Sequence, residues 1–279
     1  MKIGVLVNAF ARTTELQACL SSVLEATQNI TDTRLVIHQK GIDASMSVSG
    51  QFRSSFNVKY VLPPSSSALV CINSNRVLGL EILFEEMKVD AVLSVEDDVE
   101  ISRDSGVFCK SILEQFYEDE NFRGINLGSR IPSSNEPKLL NSYSLLRYGL
   151  HGQAGVITKR TWNYIRKRNL GLNPNSGFDA QIEAYLKTGF MATSNVSRYL
   201  DRGFDMYATH ATRDSKDVSF TRIAESYIGR EYFPELPTYE LIQEDHSNWR
   251  IDAIPYRRSD DIKYWIKFKL REFLGQIVS

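Results

Sequence analysis

The chain has 279 residues, 42% of them hydrophobic, with 33 Lys and Arg against 34 Asp and Glu. That length allows one large α/β domain or two small ones, and the composition excludes wholesale disorder. A formal charge of -1 excludes the global basic field that a nucleic-acid partner requires, so any charge-based function is local.

The amino-terminal "MKIGVLVNAF" lacks the long apolar region and cleavage site of a signal peptide and reads as a first strand over 2–8. In "ARTTELQACLSSVLEAT", Leu16, Leu20, Val23 and Leu24 recur at helical spacing behind Thr13 or Thr14 as N-cap. Strands are expected at "RLVIHQ" (34–39) and "FNVKYVLP" (56–63), the latter closed by Pro63-Pro64 and three serines. "INSNRVLGLEILFEEMK" reads as a helix facing a sheet with Val77, Leu80, Ile82, Leu83 and Met87. The apolar strand "DAVLSV" then runs into Glu96, Asp97 and Asp98. Strands alternating with helices over the first hundred residues imply a mostly parallel, doubly wound sheet.

Beyond the triplet, "SGVFCKSILEQFYED" reads as an amphipathic helix and "FRGINLGS" as a strand, followed by loop-like sequence through "RIPSSNEPKLLNSYS". "GQAGVITKRTWNYIRK" reads as strand then helix, and "FDAQIEAYLKTG" as a helix ending at Gly189. Cys19, Cys71 and Cys109 lie far apart with no C-x-x-C spacing, which fits reduced thiols rather than a disulfide framework or zinc site. No stretch approaches the roughly 20 apolar residues that cross a bilayer, and the expectation is a cytoplasmic protein. The last segment, "DDIKYWIKFKLREFLGQIV", mixes basic with aromatic and aliphatic residues. It leaves two readings open: a helix packed on the domain, or one lying on the inner face of a membrane.

In an open parallel sheet, ligands bind beyond the carboxyl ends of the strands, where the triplet falls. Three adjacent carboxylates repel one another, and Mg²⁺ or Mn²⁺ relieves that repulsion while bridging to a substrate diphosphate. The competing reading is an acidic cap for the helix that starts near Asp104. Spacing alone does not separate the two.

"VLVNAFART", "SNRVLGLEI" and "SVEDDVEIS", in that order, resemble the GT-A glycosyltransferases, in which an acidic D-x-D signature ends a strand. The Glu-Asp-Asp form is similar to that of the N-acetylglucosaminyltransferase I family and, more loosely, of family 2 transferases. The resemblance implies an α/β, Rossmann-like GT-A fold with a mostly parallel central sheet flanked by helices. It further implies a catalytic domain over 1–215, divided near 102 into a nucleotide-binding and an acceptor-binding half, with an extension over 216–279.

By the same resemblance Asp98 holds the metal, Glu96 and Asp97 lie near the ribose and donor sugar, and Asn8, Arg12, Asn75 and Arg76 contact the nucleotide. Gln39 stands where the family places a uracil-reading acid, and Gly152 belongs to a loop passing beneath the sugar. Asp179, at a helix start, matches the general base, with Glu183 one turn later in reserve. Arg198 falls in a segment that folds over the nucleotide, and His210 is a second candidate metal ligand. The implied activity is metal-dependent, inverting transfer from a nucleoside-diphosphate sugar, UDP-sugar first, to a glycan or lipid-linked saccharide. A nucleotidyltransferase is the competing enzyme class, but it wants a Gly-rich first loop and "NAFARTTEL" has no glycine. A non-catalytic carbohydrate-binding protein of the same fold is the third reading.

Overall fold

The computed structural model describes residues 1–39, 43–62, 67–128, 143–146, 153–173, 175–194 and 198–202. Its elements are β1 (Ile3–Ala9), α1 (Thr14–Thr27), β2 (Arg34–Gln39), α2 (Asp43–Gln51), β3 (Asn57–Val61), α3 (Ala68–Glu81) with a π-helical turn over Ile82–Glu86, and β4 (Ala91–Glu96). After the acidic turn come β5 (Val99–Ile101), α4 (Ser105–Phe116), β6 (Phe122–Asn126), β7 (Tyr143–Leu146), β8 (Ala154–Thr158), α5 (Lys159–Lys167), α6 (Phe178–Leu186), β9 (Phe190–Ser194) and β10 (Tyr199–Asp201). Among these residues the expected α/β, Rossmann-like arrangement is present, with eight strands in one sheet in the order β3-β2-β1-β4-β8-β6-β9-β7.

The sheet has two halves of different construction. From β3 to β4 every pairing is parallel, which demands crossover helices on the faces. Beyond β4 it is mixed: β8 is antiparallel to both β4 and β6, β6 runs parallel to β9, and β7 is antiparallel to β9. A separate antiparallel ribbon joins β10 to β5 directly after the triplet.

All seven residues of β1 and the first five of β4 are buried, as expected for strands covered on both faces. One apolar layer joins Val5, Val7 and Val95 to Leu16, Leu20 and Val23 of α1 and to Phe108 and Ile112 of α4. The other joins Leu6, Ile37 and Val92 to Leu80 and Leu83 around α3, Trp162 of α5, and Phe178 and Ile182 of α6. Each fully buried Leu, Val or Ile contributes about 1.5–3 kcal/mol, so the two layers fix the strand ends as a rigid edge. Close approach of α3 to the sheet requires Gly79, where a Cβ would run into the Leu6 side chain.

Several elements depart from the periodicity reading. Helix α2 occupies a stretch with no expected element, and α3 begins at Ala68 rather than Ile72. Strand β7 starts inside the expected loop, and β5, β9 and β10 are three- to five-residue strands that the sequence does not announce. All three cysteines are free and buried. No helix among the described residues is long and apolar enough to cross a membrane. The 216–279 extension, including the basic and aromatic tail, lies outside the described residues.

The π-helical turn aims Glu85 at α5, where its Oε1 accepts from Lys159 Nζ and Trp162 Nε1, both at 2.8 Å, with Arg166 at 3.2 Å. The hydrogen bonds from Lys159 and then Trp162 hold the carboxyl down, from 4.5 to about 2. A depressed carboxylate contributes stability that is full above the unfolded value and lost as pH falls through the folded one. Glu85→Gln is therefore expected to cost about 1–2 kcal/mol at pH 7, after discounting for partial exposure. Urea unfolding at pH 7, 4 and 3 checks it: the gap between variant and parent closes as pH falls from 4.5 toward 2.

Candidate active site

Strand β4 delivers the triplet to the carboxyl edge of the parallel half, and β5 intervenes before α4. The triplet therefore does not cap α4; the N-cap position belongs to Asp104, whose side chain makes no capping bond. Asp97 and Asp98 are buried and Glu96 is half-buried. Removing three carboxylates from water costs several kcal/mol each unless cations and donors compensate.

Among the described residues, two arginines and a backbone amide supply compensation. Arg12, in the loop between β1 and α1, places Nη1 2.5 Å from Asp98 Oδ2 and 3.3 Å from Asp97 Oδ1. The amide of Phe10 in that loop donates to Asp97 Oδ2 at 2.7 Å. From α3, Arg76 reaches Glu96 Oε1 at 2.6 Å, its guanidinium lying 5.4 Å over the Phe178 ring. Burial pushes the Asp97 carboxyl up, to about 6, while the Phe10 amide and Arg12 pull it back. Beneath the turn, Cys19 Sγ donates to the Glu96 carbonyl, and burial followed by the charges of Asp97 and Asp98 raises its pKa well above the ordinary thiol value.

The neighbouring strand ends present buried amides. Asn8 lies opposite Glu96 in register, and neither atom of its amide has a hydrogen-bond partner among the described residues. Gln39 Nε2 at the end of β2 and Ser94 Oγ on β4 share that condition. Each such group costs about 1–3 kcal/mol if it stays unsatisfied. Asn75 is buried on α3 beside Arg76.

Helix α6 is brought to this edge by contacts with no sequence signature. Asn73 Nδ2 donates to the carbonyls of Ser176 and Asn173 at 2.9 and 3.3 Å, tying α3 to the loop before α6. Gln181 Oε1 accepts from the Gly171 and Asn173 amides, and its Nε2 donates to the Ser176 carbonyl. Gly171 has φ 93°, a conformation that disfavours side chains, and a Cβ there would press on the Phe178 ring. Phe178 is thereby seated under Arg76, and Asp179 follows in the first turn of α6, half-buried. Glu183 is engaged by Lys187 at 2.7 Å.

One candidate among the described residues stands elsewhere. Arg198 is 2% exposed, its guanidinium 4.0 Å over Phe108 and bonded to Asp104 at 3.0 Å and to Ser194. Its carbonyl accepts from the Ser102 amide and its own amide donates to the Leu127 carbonyl, so it braces the ribbon after the triplet from inside the fold. Gly152 and His210 lie outside the described residues. An open polar cleft among Lys2, Arg53 and Glu86 sits at the amino ends of the same strands, and none of the described candidate residues lines it.

The donor set suits a hard divalent cation only in part. Asp97 and Asp98 offer oxygen ligands, yet among the described residues no three His, Cys, Asp or Glu side chains cluster as a metal cage. Mg²⁺ and Mn²⁺ are commonly held by one or two carboxylates together with substrate phosphates and water, and Asp97 and Asp98 would be the residues to supply them here.

No family model matches the chain, and no curated protein sequence does either. Among solved structures, S. aureus TarS 1-349 in complex with UDP superposes with TM-score 0.51 at 12% identity, covering 71% of this chain and 60% of that one. The UDP-free TarS 1-349 structure gives TM-score 0.51 at 12% identity, over 86% of this chain and 68% of that one. A cytidylyltransferase from Leptospira borgpetersenii matches at TM-score 0.45 and 11% identity, over 87% and 92% of the two chains. The chain thus spans about three fifths of the length of the UDP-bound TarS fragment, and what the two share is the fold.

Arg12→Ala leaves two carboxylates, each under a tenth exposed, without their guanidinium. The expected cost is about 3 kcal/mol at pH 7, read as a lower urea midpoint with unchanged slope. Arg53→Ala, at the opposite edge, is expected to stay within about 0.5 kcal/mol of the parent.

Proposed function

We propose that the chain is a glycosyltransferase that moves a sugar from a nucleoside-diphosphate sugar, UDP-sugar first, to a glycan or lipid-linked saccharide, with inversion and with Mn²⁺ or Mg²⁺. The observation that carries this reading is the carboxyl edge itself. There the triplet is paired with Arg12 and Arg76 and flanked by the Asn8 amide and Gln39 Nε2, which have no hydrogen-bond partner among the described residues, and Arg76 lies over Phe178 at the start of α6. That edge offers amide donors and acceptors for a base, guanidiniums for a diphosphate and a carboxylate for a hydroxyl proton. Gln39 keeps a donor and an acceptor where the related enzymes have an acid, which suits the imide edge of uracil.

In the proposed reaction Asp179 takes the proton of the acceptor hydroxyl as its oxygen forms a bond to the anomeric carbon. The bond from that carbon to the diphosphate breaks on the opposite side, and the leaving group departs with the electron pair. Arg12 and Arg76 stabilise the charge that develops there. A bound divalent cation would share that task as a Lewis acid, held by Asp98 and assisted by Asp97.

Two measurements test the reading. A thermal-shift screen of nucleoside diphosphates and their sugars with Mn²⁺ is expected to single out a uridine ligand; no shift with any of them contradicts the proposal. With the sugar so identified, Asp179→Asn is expected to keep donor affinity within about twofold while losing at least 10²-fold in transfer. Intact turnover would remove Asp179 as base.

A further inference from the structure

The geometry points to a second role for Arg12: we infer that it is the resident counter-ion of the cation site. A divalent cation then has to displace it, and does so only when a diphosphate draws the guanidinium away. The inference rests on the transferase reading of the triplet and adds an order of events to it.

A single nitrogen of Arg12 bridges the two buried aspartates, at 2.5 Å from Asp98 and 3.3 Å from Asp97. That is the place a bridging cation would take. A second guanidinium at the turn, that of Arg76, is 3% exposed, held by Glu96 at 2.6 Å and backed by Phe178. It is fixed by α3 and α6, whereas Arg12 stands on a four-residue connection between β1 and α1. The backbone of that connection is pinned by the Phe10 amide on Asp97, so only the Arg12 side chain has to swing.

Charge balance supplies the coupling. Among the described residues, Glu96, Asp97 and Asp98 at the turn are met by the guanidiniums of Arg12 and Arg76. Adding a divalent cation without moving Arg12 would set two cationic groups against each other at close range in a buried turn, where water screens the repulsion poorly. A diphosphate changes both sides of the exchange. Its oxygens pair with the fork of a guanidinium and complete the coordination of a cation that two carboxylates hold weakly. Cation and donor therefore enter as a unit, and a lone cation finds its ligands engaged.

The test is Mn²⁺ binding followed by the loss of the free-ion EPR signal, with and without UDP, in the full chain. Without UDP, Arg12→Gln and Arg12→Met are expected to bind Mn²⁺ at least tenfold more tightly than the parent. Adding Asp98→Asn to either is expected to abolish the gain. Equal Mn²⁺ affinity in parent and variants, or a gain that survives Asp98→Asn, overturns the inference. Should neither variant fold, the parent decides: Mn²⁺ binding as tight without UDP as with it overturns the inference as well. Equilibrium dialysis of UDP separates the two levels. Retained UDP binding with failed Mn²⁺ arms overturns the counter-ion role alone, and no UDP binding by the parent in Mn²⁺ overturns the transferase reading together with it.

Discussion

Three carboxylates at the end of a buried strand are the constraint around which the carboxyl edge is organised. Val92, Leu93 and Val95 are sealed between two helix layers, so β4 has no freedom to turn its last residues toward bulk water. The charge must be met in place, and it is met from two directions, by Arg12 in the β1–α1 loop and by Arg76 on α3. Buried ion pairs roughly break even against apolar packing, so stability alone is a weak reason to maintain this one. The proposed diphosphate site supplies a better reason, because under that reading the same guanidiniums that quiet the carboxylates would bind the ligand.

The rest of the edge follows from holding those partners still. Gly79 lets α3 lie close on the sheet, which sets the reach of Arg76. Asn73 and Gln181 fasten the loop ahead of α6, and Phe178 closes the stack beneath Arg76. Asp179 is thus placed by a chain of contacts that begins at Glu96. On the other side Arg198 locks the β5–β10 ribbon from within through Asp104 and Ser194, making the segment after the triplet part of the frame.

Much of the scaffold is legible in the chain because strands covered on both faces, β1, β2 and β4, read as short apolar runs, while α1, α5 and α6 keep apolar residues at helical spacing. Helix α2, "DASMSVSGQ", is hidden by serine and glycine and by a weak apolar face. β5, β7, β9 and β10 are too short for alternation to rise above noise, and their pairing is decided by neighbours far away in sequence. The triplet is visible because charge follows an apolar run, but its pairing with Arg12 spans 85 residues and obeys no spacing rule. Asn73 and Gln181 act on backbone carbonyls and amides, which no motif records. Arg198 falls in a segment whose resemblance implies a nucleotide contact, and burial against Phe108, which no spacing announces, sets its guanidinium on Asp104 and Ser194.

The central claim is that the carboxyl edge around Glu96, Asp97 and Asp98 receives a nucleoside diphosphate. A crystal structure of the chain soaked with UDP and Mn²⁺ tests it most directly. The account predicts the base against Asn8 and Gln39, the diphosphate between Arg12 and Arg76, and Arg12 withdrawn from Asp98. UDP bound at any other edge, with Arg12 still bridging Asp97 and Asp98, would contradict it.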